Sequence, residues 1–266
     1  MLVAHAAWSA PPAVVVAASL AGVLFLRAWL RLRARNRRDL AGGSRFALFY
    51  AGLAVVLAGL VSPIHSIGED DLLSVHMLQH VAIGDLGIAL MVVAVRGPLL
   101  VFFLPPQVLA PLARNRGVRA ALAFLMRPRV AFALWAANLA VWHVPSFYDA
   151  AIEREWLHDL EHVCWMLAGT LVWILLVDPG SHRRLTSGGR VALAVAMFAA
   201  GTALSDLLVF TFHPLYPLYR GAYGVSALTD QKLAGLVMMG EQLVVLGTFV
   251  YLVIRPRLRR ARVATA

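Results

Sequence analysis

Four histidines carry the chemistry this chain could do. His76 and His80 stand four residues apart in Ser74-Val-His76-Met-Leu-Gln-His80, and His158-Asp-Leu-Glu-His162 repeats the spacing. On an α-helix, residues at i and i+4 share one face at about 6 Å, so each pair presents two imidazoles in one direction. Neutral imidazole binds transition metals, and two such pairs could make a four-nitrogen site. His158, His162 and Met166 form one stripe; His76, His80 and Gly84 form another. Glycine in such a stripe permits a neighbouring helix to come close. Imidazole with thioether suits copper, and imidazole alone suits copper or zinc. His143 and Met166 are secondary candidate ligands, and Glu161 is placed to orient an imidazole.

The elements that must position these residues are membrane helices. Of 266 residues, 61% are hydrophobic and 14% charged, too apolar for an ordinary soluble domain. Seven apolar segments approach the ~20 residues of a helical span. They lie near 11–30, 46–62, 73–95, 128–144, 156–177, 190–211 and 231–254, the second and fourth being short. The expected fold is all-α: a single polytopic domain over 1–266, a seven-helix bundle in the lipid bilayer. The net charge of +10 does not indicate a nucleic-acid partner, because the arginines sit in short connections between apolar runs. Twenty-one basic residues fall on one side of this topology and three on the other. Positively charged loops stay inside, which puts the N-terminus outside and the C-terminus in the cytoplasm. Pro98 to Ala113 is apolar but short and broken at Pro105-Pro106; a crossing there would erase the charge asymmetry, so it is expected at the cytoplasmic interface. Met1 to Trp8 lacks the basic start of a signal peptide, so the first helix is expected to be retained. The lone Cys164 excludes an internal disulfide or a Cys-rich metal site and reads as a packing residue. The tryptophans, Phe147-Tyr148 and the Tyr216–Tyr223 group read as an interfacial belt.

This topology gathers eight of nine histidines on the outer face: His5, His65, His76, His80, His143, His158, His162 and His213, leaving His182 on the other. Asp85, Asp206 and Glu241 lie within spans, where acids serve proton or cation traffic or bond between helices. Asp85 is expected about 140° from His80. Three other functions fit parts of the pattern. His158 to His162 satisfies the H-x-x-E-H pattern of inverted zinc proteases, with Glu161 as base and Glu241 as a distant ligand, but this leaves His76 and His80 unexplained. A haem could be clamped by one histidine from each helix. A metal- or proton-coupled transporter would place polar residues on both sides of the midplane. The one-sided histidines favour capture and transfer at the outer face over passage.

Four stretches taken together carry a resemblance: His76 to His80, Trp142-His-Val-Pro-Ser-Phe-Tyr-Asp149, His158 to His162, and Asp230-Gln-Lys-Leu-Ala-Gly-Leu-Val-Met238. From about Phe46 to Val253 the chain resembles the CtaG family, assembly factors for caa3-type cytochrome c oxidase. The resemblance implies a non-enzymatic, multi-pass protein of the bacterial plasma membrane, needed to mature a haem–copper oxidase and concerned with its copper supply. Oxidase subunits or a periplasmic copper chaperone are the implied partners. The positions carried over are His76, His80, His143, His158, His162, Asp230 and Gln231. After Met238 the chain departs from the family pattern and reads Met239-Gly-Glu-Gln242, which leaves Glu241 without a family role.

Overall fold

Residues 8–264 are described in a computed structural model, with side chains through residue 256. His5 and the side chains of Arg257, Arg259, Arg260 and Arg262 lie outside them. The described chain is all helical, without strands. Its order is α1 (Pro12–Ala34), α2 (Gly43–Val61), α3 (Pro63–Asp70), α4 (Leu73–Val81), a π turn (Ala82–Leu86) and α5 (Gly87–Ala94). There follow α6 (Pro98–Phe103), α7 (Pro106–Arg114), α8 (Arg116–Leu125), α9 (Pro128–Trp142), α10 (Pro145–Ile152), α11 (Glu155–Val177), α12 (Ser187–Phe210) and α13 (Ala227–Ala264).

Prolines open six of these helices near their first residue, where the missing N–H costs nothing. Asn115 and Thr186 cap α8 and α12, accepting from the Val118 and Gly189 amides at 3.1 Å each. The start of α4 has no such residue: Leu72 precedes it. The cap comes instead from α13. The Asp230 carboxylate accepts from the Leu73 amide at 2.7 Å, the Ser74 amide at 3.1 Å and the Ser74 hydroxyl at 2.5 Å. A carboxylate at a helix N-terminus also complements the helix dipole. One side chain thus ties α13 to α4 at the turn that carries His76.

Six segments are long and apolar enough to cross a membrane: α1, α2, Leu73–Ala94, α11, α12 and Ala227–Pro256 of α13. The span expected at 128–144 is shorter. α9 has 15 residues, about 22 Å of helix, against a ~30 Å hydrocarbon core. It meets α8 at a 71° bend, so the two form one broken span or a re-entrant piece. Pro128 accounts for the break, since the residue before a proline is pushed out of the helical region, and Arg127 is extended. The stretch expected at the interface is two short helices, α6 and α7, divided at Pro105.

Contacts separate the two ends of the bundle as the loop charges require. At the arginine-rich end, Arg45 Nη1 donates to Arg96 O at 2.6 Å and the Gly97 amide to Pro179 O at 2.8 Å. At the other end, Tyr219 donates to Gly68 O at 2.7 Å and Tyr216 to His143 O at 3.0 Å.

The two histidine-bearing spans are the most enclosed. Buried residues make up 56% of the apolar stretch of α11 and 50% of that of Leu73–Ala94, against 17% in α1. These spans cross where a Cβ on Gly169 would stand 1.8 Å from Gly84 O, so only glycine lets the backbones approach this closely. Gly169→Ala is therefore expected to force α11 away from the π turn, costing about 2–3 kcal/mol of stability. Thermal unfolding in detergent checks this; an unchanged midpoint would contradict the crossing.

Candidate metal centre

His76, His80, His158 and His162 are 0–4% exposed, and each offers a ring nitrogen within 4.8 Å of the others'. α4 supplies the first pair and α11 the second, so the two stripes face each other. His76 Nε2 lies 2.9 Å from His80 Nε2 and 3.4 Å from His158 Nε2.

The opposite ring nitrogens determine which protons are present. Tyr219 gives its only hydroxyl proton to Gly68 O, so its oxygen must accept from His76 Nδ1 at 2.9 Å. Tyr148, 3.0 Å away, donates to the same oxygen. Burial pushes both tyrosine hydroxyls well up, which keeps them protonated. On α11, His158 Nδ1 meets the Glu69 carboxylate from α3. Burial alone would raise the Glu69 carboxyl, but His158 and His65 outweigh it and hold the group below its ordinary value. Both Nδ1 atoms therefore carry protons, which leaves His76 Nε2 as an acceptor 2.9 Å from His80 Nε2, with His158 Nε2 facing it at 3.4 Å. His80 Nε2 can donate to only one of them.

His76 Nε2 and His158 Nε2, 3.4 Å apart in an apolar interior, could share a cation. A proton would bridge two nitrogens and leave the buried His162 Nε2 without a partner, as it is now. A metal ion could engage all four. With M–N bonds near 2.0 Å, a tetrahedral set has nitrogens about 3.3 Å apart, close to the 2.9 and 3.4 Å that separate His76 Nε2 from His80 and His158. The donor set fits copper or zinc.

The other expected residues divide. His143 caps α9, with its Nδ1 on Leu139 O at 2.8 Å; its free Nε2 borders a cavity shared with His80, outside the four-histidine group. Met166 packs against Val56, Leu60 and Ile83 and lines an apolar groove beside His162. Glu161 approaches His80 Nδ1 at 3.6 Å, close enough for charge but not for a hydrogen bond, and accepts from Trp165 Nε1 at 3.4 Å. Cys164 packs on the core, as expected. His182 and His213 are exposed and belong to no cluster.

Two expectations need correcting. Tyr148, Tyr216 and Tyr219 are not an interfacial belt: they are 1%, 2% and 4% exposed, and Tyr219 holds His76; Trp135, Trp142, Trp165 and Trp173 are buried as well. Asp85 does not point away from His80. The wide π turn shifts the helix phase after His80, and Asp85 lines the same cavity. Sequence reasoning also missed Glu69 and His65 as a second ring around the site. His65 accepts from Gln79 Nε2 at 3.0 Å and stacks on His158 with centroids 5.8 Å apart.

A model of the cytochrome c oxidase caa3 assembly factor family matches residues 23–260. The chain belongs to that family. No curated protein and no solved structure matches it. Within this assembly factor, two positions that the resemblance had carried over acquire structural reasons. Asp230 caps α4, and Gln231 holds the 211–226 connection by accepting from the Leu215 amide at 2.6 Å and donating to Leu208 O at 3.2 Å.

Nitrogen NMR of histidine-labelled protein, freed of metal, should find His76 and His158 as Nδ1–H tautomers. Tyr219→Phe should release His76 alone from that state. An Nε2–H tautomer at either ring in the unsubstituted protein would contradict the hydrogen-bond assignment.

Proposed function

We propose that this assembly factor takes up copper as cargo on His76, His80, His158 and His162 and hands it to a haem–copper cytochrome c oxidase during assembly. The family match supports a role in oxidase assembly. The observation that carries copper binding is the convergence of four buried imidazoles from two helices, with His76 Nε2 and His158 Nε2 3.4 Å apart and a nitrogen of each ring within 4.8 Å of the others. Among divalent ions copper binds nitrogen donors most tightly, which supports it as the ion, with zinc the competing choice from the same donors.

The one-sided loop charges support an outward-facing site in the bacterial plasma membrane, so that a periplasmic copper chaperone can load it and oxidase subunits can unload it. His143 and Met166 would act at most during transfer. A haem reading is disfavoured by space: between the helices the His76 and His158 centroids are only 5.1 Å apart, and the adjoining cavity is about 40 Å³. A protease reading is disfavoured by Glu161, which is 1% exposed and turned toward His80 and Trp165. The reading assigns the protein no reaction of its own.

The double change His76→Ala with His158→Ala should abolish retained metal while leaving membrane insertion intact; elemental analysis that still finds stoichiometric metal would sink the assignment. Glu69→Gln should weaken metal binding about 10–100-fold by loosening His158, as removal of such supporting carboxylates does elsewhere. In cells, loss of the protein should lower oxidase activity and its copper content. Normal activity and normal copper would refute the assembly role.

A further inference from the structure

Directly behind His80, toward the middle of the bundle, lies a small polar cavity. Its walls include His80 and Met77 from α4, Asp85 from the π turn, His143 at the end of α9, Trp165 from α11, and Glu241 and Gln242 from α13. The cavity is about 40 Å³, and one water needs roughly 10–15 Å³, so two or three waters fit. An unusual number of buried polar atoms around it lack partners: both Glu241 oxygens, Gln242 Oε1, His143 Nε2 and His80 Nδ1. Buried polar atoms are rarely left unpaired, and water is the ordinary means of satisfying such a group. Asp85 is partly satisfied, accepting from Trp173 Nε1. No arginine or lysine borders the cavity. The titratable groups that do are His80, Asp85, His143 and Glu241; α11 contributes Trp165, whose indole is bonded back to Glu161. A carboxyl in apolar surroundings without a cationic partner keeps its proton.

We propose that this cavity is a hydrated proton-exchange chamber, in which the Glu241–Asp85 carboxyl pair gives up a proton when the neighbouring imidazole cluster takes a cation. The inference rests on the metal-binding reading and adds a coupling to it. A cation entering the cluster adds positive charge to a low-dielectric interior. The carboxyl O–H bond breaks, its proton passes to the chamber water and leaves to bulk water, and the carboxylate that remains offsets the ion's charge. For a monovalent ion the total charge of the site is unchanged. Unloading reverses the step, so a proton entering from bulk water favours release. Glu241, which falls in the segment that departs from the family pattern, thereby gains a function.

The test uses purified full-length protein in detergent and has two arms. The first is metal-free. Infrared spectroscopy should find a protonated-carboxyl stretch that shifts promptly in deuterated water and is lost or reduced in Glu241→Gln and Asp85→Asn. A missing or non-exchanging band in the unsubstituted protein would overturn the chamber, whatever the metal does. The second arm titrates copper ion alone in buffers of differing ionisation heat. The unsubstituted protein should release about one proton per ion, and Glu241→Gln should bind copper but release close to none. Copper binding with the same proton release in Glu241→Gln and Asp85→Asn as in the unsubstituted protein would overturn the coupling and leave the metal site standing. Failure of the unsubstituted protein to bind copper would sink the metal reading and the coupling with it.

Discussion

His76 Nε2 and His158 Nε2 face each other across 3.4 Å in an apolar interior, and most of what is specific in this structure holds them there. Each ring would relax away if its far nitrogen were free. The Tyr219 oxygen and the Glu69 carboxylate prevent that by accepting the Nδ1 protons. The outer partners fix tautomer and orientation, and the inner nitrogens are left turned toward one another, an arrangement that suits a cation.

Remote features serve the same contact. Asp230 caps α4 from a different helix, so the turn carrying His76 is placed by α13 as well as by its own chain. Gly84 and Gly169 let α11 approach the π turn closely enough for the two histidine stripes to meet. The π turn widens the backbone just after His80 and brings Asp85 to the cavity behind that ring. The bundle thus sets a buried histidine cluster beside a small cavity lined by Asp85 and Glu241.

The histidine pairs were legible because i,i+4 spacing is a property of the helix itself, and Gly84 was legible for the same reason. The alternation of loops was legible from arginine placement. What escaped was set by tertiary structure. Glu69 and Tyr219 come from a short helix and an irregular connection, where no periodicity says which way a side chain points. Tyr216 and Tyr219 look like interfacial aromatics in sequence, because an aromatic near a span end can face headgroups or fold inward. The π turn has no sequence signature beyond the nearby Gly84 and Gly87. Two signals were available and unread. Arg127-Pro128 marks the break before α9. Leu72, a poor cap in front of α4, implies that the cap must come from elsewhere.

The central claim is that a metal ion is held by imidazole nitrogens from both helices. X-ray absorption at the copper edge of copper-loaded protein tests it most directly. The account predicts a first shell of imidazole nitrogens, with outer-ring scattering from three or four histidines and no sulfur. A first shell containing sulfur, which would bring in Met77 or Met166, or one dominated by water oxygens, would contradict it.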